Sequence, residues 1–170
     1  MATTLDGNVK VDFPFNYLKT GTGFNTLQAV LNYTNSPTAY ASGTGSNQVN
    51  AMFMALATSL AATNISYDLN TQVDVYGATI NFTALKLIYI KNKSTTTAQY
   101  LSLSGNFWDG DTSNLGPLGG TSPVAYIGPG GIFLWDSPID GATVTNTTKD
   151  TITLTNTATF TYDLILMGTI

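Results

Sequence analysis

Short segments of alternating apolar and polar residues, separated by turn formers, run along almost the whole chain, and this limits it to a β fold. Val9, Val11, Phe13, Phe15 and Tyr17 share one parity, while Lys10, Asp12, Pro14 and Asn16 share the other. A period of two marks a half-buried strand, and Pro14 places it at a sheet edge. Residues 20–23 (TGTG) end it. In FNTLQAVLNYTN, Leu27, Ala29, Leu31 and Tyr33 alternate. Leu27, Val30 and Leu31 would also suit a short helix, but Thr, Asn and Tyr on the flanks favour a strand. Residues 34–50 (TNSPTAYASGTGSNQVN) read as a long loop of turn formers, a type of segment that often makes functional contacts. AMFMALATSL fits a strand by the alternation of Met52, Met54, Leu56 and Leu60, and a helix by its Ala and Met content.

From Ile65 onwards the reading is β throughout. Ile65, Tyr67 and Leu69 alternate, and Val73 and Val75 lead to a turn at Tyr76 and Gly77. Residues 84–92 (ALKLIYIKN) are apolar on both faces and read as a central strand. Residues 100–104 form another strand, and a Gly/Pro/Asp-rich stretch follows over 105–123. Residues 124–127 and 132–135 flank the turn GPGG, and segments 142–145, 151–155 and 160–167 complete the chain. This pattern predicts one all-β domain, a β-sandwich or jelly roll, over residues 9–170, with residues 1–8 as an extended N-terminal arm.

The chemical inventory is narrow. The chain has 170 residues, enough for one domain with a real core. It contains no Arg, Glu, His or Cys, and only 9% of its residues are charged, against about 25% in an ordinary domain. Net charge is −4 and the pI about 4.3. Nucleic acid needs a basic footprint. The one small cluster of Lys86, Lys91 and Lys93 reads instead as a solvated strand end. The first residues lack the basic and apolar regions of a signal peptide. The longest mostly apolar run, 51–62, is short of the ~20 residues that span a bilayer. The expectation is a soluble protein made in a cytoplasm, with neither nucleic acid nor membrane as partner.

The residues that could carry chemistry each have a plainer reading. Asp109, Asp111 and Ser113, followed by Asn114, alternate like the first ligands of a calcium loop. The loop's Gly is missing, and no Glu exists to close it; the plainer reading is a surface loop with Asx-capped turns. Asp109 with Asp111, or Asp136 with Asp140, could stand as a glycosidase pair, but Gly or Pro beside each explains them as turn residues. Without His or Cys no Ser-His-Asp or Cys-His arrangement can be built. Lys93-Ser94 is the only adjacent Ser-Lys pair, in a stretch that reads as an exposed turn. The glycine stretches at 21–23, 43–45, 119–120 and 128–131 lack P-loop and GxGxxG spacing. Asn-X-Ser/Thr triplets at Asn32, Asn64, Asn81, Asn92 and Asn146 match what a chain rich in Asn and Thr gives by chance. Trp108 and Trp135 could form a sugar-stacking platform. Trp135 ends an apolar strand and reads as core together with Ile132 and Leu134, while Trp108, in a polar loop, is open to either reading. No catalytic, cofactor-binding or metal-binding residue is expected.

Four segments carry a family resemblance. They are GTGSNQVNAMFMALATSLAATNISYDLN (43–70), VYGATINFTALKLIYIKNKS (75–94), GPGGIFLWDSPIDGATV (128–144) and DTITLTNTATFTYDLILMG (150–168). Together they resemble tailed-bacteriophage virion proteins of the β-sandwich decoration, or cement, type. The resemblance implies a non-enzymatic capsid decoration protein that binds the major capsid protein. It also implies a homo-oligomer, with a trimer favoured by capsid symmetry, located in the virion after assembly in the host cytoplasm. A tail or neck component and a carbohydrate-binding or adhesion module are the alternatives. A surface poor in charge and rich in Thr and Asn loses little on desolvation, which suits wide, partly wet interfaces.

Overall fold

The computed structural model describes every residue except 1–4, 6, 21–25, 35–37, 62, 75, 110–116, 119, 121 and 157, and for 13–20 and 26–34 it describes the backbone alone. In chain order the strands are β1 (Gly7–Val9), β2 (Asp12–Thr20), β3 (Thr26–Thr34), β4 (Thr38–Ser42), β5 (Gln48–Val49), β6 (Ala51–Leu60), β7 (Asn64–Asp68) and β8 (Gln72–Val73). They continue as β9 (Thr79–Ile80), β10 (Ala84–Asn92), β11 (Leu101–Ser104), β12 (Ala125–Ile127), β13 (Ile132–Asp136), β14 (Ala142–Thr143), β15 (Thr151–Thr155) and β16 (Phe160–Thr169). A 3-10 turn spans Asn106–Trp108. The chain is all-β, as the alternation predicts.

Two antiparallel sheets form the body. The first runs β13-β10-β16-β6, with β14 also paired to β10; the second runs β12-β11-β15-β7. The chain passes between them repeatedly: β6 lies in the first, β7 in the second, β10 in the first, β11 and β12 in the second, β13 in the first, β15 in the second and β16 in the first. Smaller ladders complete the fold. β4 lies between β1 and β5, parallel to β5, while β2 pairs with β3 and β8 with β9.

Strand periodicity explains the packing. In β15, Ile152 and Leu154 point inward while Thr151, Thr153 and Thr155 point outward. β16 alternates in the same way, burying Tyr162, Leu164 and Leu166. These meet Ile88 and Ile90 of β10 and Leu101 and Leu103 of β11 in one core. Each fully buried Leu or Ile contributes about 1.5–3 kcal/mol. Tyr67 of β7 and Tyr162 of β16 join hydroxyls across the core, tying one sheet to the other. Burial pushes both phenols above their ordinary pKa.

Several expectations are corrected. Residues 34–50 are not a continuous loop, because they supply β4 and β5 and bury Tyr40 and Val49; residues 35–37 lie outside the described ones. The ambiguous AMFMALATSL is strand β6, and FNTLQAVLNYTN contains strand β3, as its flanks favoured. The boundary drawn at 8/9 falls inside β1, whose Gly7 and Asn8 pair with Tyr40 and Ala39 of β4. The Gly-rich stretch after β11 is partly core. Gly105 adopts φ +114°, and a Cβ there would stand 2.2 Å from the Thr151 carbonyl oxygen, so only glycine lets the 3-10 turn sit against β15.

Candidate functional site

The described residues among those weighed from sequence are spread over separate local contacts. Asp109 accepts a 2.7 Å bond from the Ser122 N–H, an ordinary loop closure. Asp111, Ser113 and Asn114 lie outside the described residues. Asp140 is exposed, whereas half-buried Asp136 accepts a hydrogen bond from the Tyr40 hydroxyl. Lys93 pairs with Asp163 at 3.5 Å. Ser94, far from being exposed, is buried and donates to Gln99. Among the described residues no group of three or more acidic side chains is placed to hold a metal, and no helix is long and apolar enough to cross a membrane.

The tryptophans resolve unevenly. Trp108 is fully buried, packs edge-on against Phe107 and Phe133, and donates from its indole N–H to the Ser104 carbonyl at 2.8 Å. Its polar sequence context hid this, and Gly105 lets the 3-10 turn that carries it sit against β15. Trp135 is half-buried against the core. Its neighbours Ile132 and Leu134 are 56% and 39% exposed, so the expectation that all three are buried together fails. Alternation sends Phe133 and Trp135 inward and the two aliphatics out.

Two polar clusters escaped the sequence reading. Lys86 is 4% exposed, so the expectation of a solvated Lys cluster fails at this member. Its ammonium donates to the carbonyls of Ile139 at 2.6 Å and Pro138 at 3.4 Å. Beside it the Tyr40 hydroxyl contacts both Asp136 and the Lys86 carbonyl, locking β4 onto the rim of the first sheet. Burial first, then the bond to Asp136 and its charge, push the Tyr40 phenol far above its ordinary pKa. A Lys between Leu85 and Leu87, inside the apolar run of β10, was the available signal. The second cluster centres on Asp150, which accepts from the Thr147 N–H, Asn70, Asn106 and the Thr151 hydroxyl. Burial would raise its pKa, but these bonds outweigh burial and hold it below the ordinary carboxylate value. Every oxygen is used internally, which makes this a structural clasp.

The outer faces of the two sheets differ in kind. Across the first sheet the ladders align Leu134, Tyr89, Ile165 and Met54 in one row, and Asp136, Leu87, Met167 and Met52 in the next. These two rows carry one charge. Leu134 is exposed, and Tyr89, Ile165 and Met54 are half-buried. Leu56, on β6, is 54% exposed. Towards the far end, Lys91 and Asp163 stand opposite each other, and Asp163 also accepts from the Ala57 N–H at a bulge in β6. Across the second sheet the corresponding row is Tyr126, Ser102, Thr155 and Asn64, and the next is Ser104, Thr153 and Ser66. Ser66 and Thr153 share a 2.9 Å hydroxyl bond. One face is thus built for apolar contact and the other for water.

No family model, curated protein or solved structure matches the chain.

Proposed function

We propose that this chain is a virion structural protein, a capsid decoration protein that binds the major capsid protein as a homo-oligomer, a trimer by preference, and reinforces the shell. The interleaved strand order, β13-β10-β16-β6 over β12-β11-β15-β7, reads as a double-sheet jelly roll. That architecture serves viral capsid and lectin domains. Fold alone does not choose between them. The observation that carries the choice is the apolar outer face of the first sheet. An antiparallel sheet normally keeps one face for water. Here two apolar rows carry one exposed residue, Leu134, one covered residue, Leu87, and otherwise half-buried side chains. An outer face of this kind supports an interaction surface. The scarcity of charge elsewhere supports the same reading, since contact then strands few unpaired ions.

The test is direct detection on particles. Purified virions of the virus that encodes the chain are sedimented and probed for it, then stripped and reloaded with added protein. The expected result is saturable rebinding at a fixed ratio to the major capsid protein. Absence from sedimented virions would falsify the decoration reading.

Carbohydrate binding is kept as a second reading because of one specific feature. Tyr126 and Tyr100 are 71% and 51% exposed beside the hydroxyl-bearing face. Exposed aromatic rings next to hydroxyls can stack on and hydrogen-bond a sugar. Glycan binding that disappears in Tyr126→Ala, while the fold persists, would favour this reading.

A further inference from the structure

We infer that the Tyr100–Tyr126 corner of the second sheet and the cleft lined by Ser104, Asp109 and Ser122 form one binding site for a neutral oligosaccharide. The inference rests on the carbohydrate reading above and not on the capsid one. It adds the extent of the site and the charge of the sugar it takes.

Strand register builds the first part of the site, a shelf. Along β11, Leu101 and Leu103 point into the core and Ser102 and Ser104 point out; along β12, Ile127 points in and Tyr126 out. Tyr126 stands opposite Ser102. The same register carried one step past each end of the ladder sets Tyr100 opposite Gly128 and Ser104 opposite Val124. A Cβ at Gly128 would stand 3.8 Å from a ring carbon of Tyr100, so that ring leans over the glycine on the outer face. Tyr100 and Tyr126 are therefore diagonal neighbours, ~7–8 Å apart at the backbone, close enough for one ligand to touch both rings. Both rings and Val124 are exposed. Ser66 and Thr153 spend their hydroxyls on each other, but Ser102, beside the rings, has no side-chain partner among the described residues. From Tyr100 to Ser104 the shelf is ~14 Å long, room for more than one sugar ring.

The cleft begins where the shelf ends. Ser104 and Val124, the last pair of the shelf, are also walls of a cavity of about 310 Å³ that Asn106, Asp109 and Ser122 line as well. Pockets for small ligands start near this size, at ~300 Å³. The Asn106 amide is engaged with Asp150 and the Thr151 N–H, so it serves as a wall. The remaining polar side chains of the lining are the Ser104 and Ser122 hydroxyls and the Asp109 carboxylate, which accepts from the Ser122 N–H. A pyranose has the matching chemistry. Its C–H face stacks on an aromatic ring, and its rim of hydroxyls bonds to other hydroxyls and to a carboxylate. Asp109 is the one charged side chain among the described residues of shelf and cleft. It would repel an acidic sugar, and repulsion of this kind selects against the wrong ligand.

Calorimetric titration with hexasaccharides tests the site. The probes are neutral hexamers of glucose, of mannose and of N-acetylglucosamine, and an acidic hexamer of galacturonate. The intact chain should bind at least one neutral hexamer, and prefer it to galacturonate by about tenfold or more. Tyr126→Ala and Tyr100→Ala are surface changes that keep the fold, and each should weaken binding by about tenfold. Tyr76→Ala removes a ring that is 83% exposed between β8 and β9, and should leave binding unchanged. Asp109→Asn keeps an acceptor for the Ser122 N–H while removing the charge, so it should narrow the preference over galacturonate. Full binding in either shelf variant, equal loss in Tyr76→Ala, or an unchanged preference in Asp109→Asn would overturn the proposal and leave the carbohydrate reading standing. A chain that binds no neutral hexamer overturns both. Virion occupancy is scored separately, so neither result decides the decoration reading.

Discussion

The outer faces of the two sheets are made by ladders of the same type around the same core, yet one reads Leu134, Tyr89, Ile165, Met54 and the other Tyr126, Ser102, Thr155, Asn64. Core packing cannot account for the difference, because the inward residues are equally apolar on both sides. A strand needs only one apolar face to join a sandwich. The second sheet stops there and fills its outer face with hydroxyls, which suit the strand backbone and water together. The first sheet goes further and is apolar on both faces. That excess is what separates a surface made to be covered from one made to be solvated, and charge would not have revealed it, since both faces have little.

The comparison assumes that both faces belong to one cooperative unit, so the largest predicted effect tests that unit. Trp108→Ala should cost about 3–5 kcal/mol, the usual cost of emptying a large aromatic site. It should lower the denaturation midpoint in one transition seen alike by circular dichroism and by Trp135 fluorescence. Two separated transitions would mean that the sheets fold independently, and the contrast would then lie between two modules instead of two sides of one.

Next in size is the clasp under the second sheet. Asp150→Asn should cost about 1–3 kcal/mol at neutral pH, the cost of leaving buried partners unsatisfied. The carboxyl is held below its ordinary value in the folded chain. Its contribution is therefore complete above the unfolded value of about 3.9 and is lost as pH falls through the lower folded value. Denaturant midpoints followed from about pH 5 down to about pH 2 should fall in the parent chain and fall less in Asp150→Asn. Equal acid sensitivity in the two would remove the clasp as the source of that slope.

Much of the fold was legible because alternation survives without homologues. ALKLIYIKN announced a central strand, and β10 lies between β13 and β16. Residues 151–155 were read as one of the closing strands, and β15 spans Thr151–Thr155. What stayed hidden depends on contacts distant in sequence. Tyr40 looked like a loop residue because the group that fixes it, the Lys86–Asp136 rim, is brought there by β10 and β13. Trp108 stayed open to either reading because Asp and Gly follow it, and its burial depends on Gly105 allowing close approach to Thr151. The paired rows on the first sheet were visible strand by strand as surplus apolar residues. Their alignment into a single face needed the register across four strands. Of the Asp side chains in the calcium-loop and glycosidase readings, Asp109 closes a loop on the Ser122 N–H and Asp136 accepts from the Tyr40 hydroxyl.

A third prediction exchanges the characters of the two faces. Leu134→Ser and Ser102→Val are both surface changes and should each alter the stability of the dilute chain by no more than about 0.5 kcal/mol. Their effects on association should be opposite. Leu134→Ser should reduce self-association and binding of a hydrophobic dye, and Ser102→Val should increase both. If Ser102→Val changed neither while Leu134→Ser acted strongly, the first face would be recognised by its shape as well as by its apolarity, and the comparison would be sharpened.

The smallest expected effect concerns the hydroxyl face itself. Thr153 and Ser66 face each other across β15 and β7, and their bond is 2.9 Å long. Cross-strand hydroxyl pairs contribute about 0.2–1 kcal/mol. Thr153→Val removes that bond but keeps the branched shape that strands favour. The two effects oppose each other, and the net change should stay within about 0.5 kcal/mol. Thr153→Ala loses both the bond and the branched shape, and should fall below Thr153→Val. Denaturation of both variants beside the parent checks the order. If Thr153→Val cost well over 1 kcal/mol, the hydroxyl ladder would be holding the second sheet together, and the outer face would be structural instead of merely solvated.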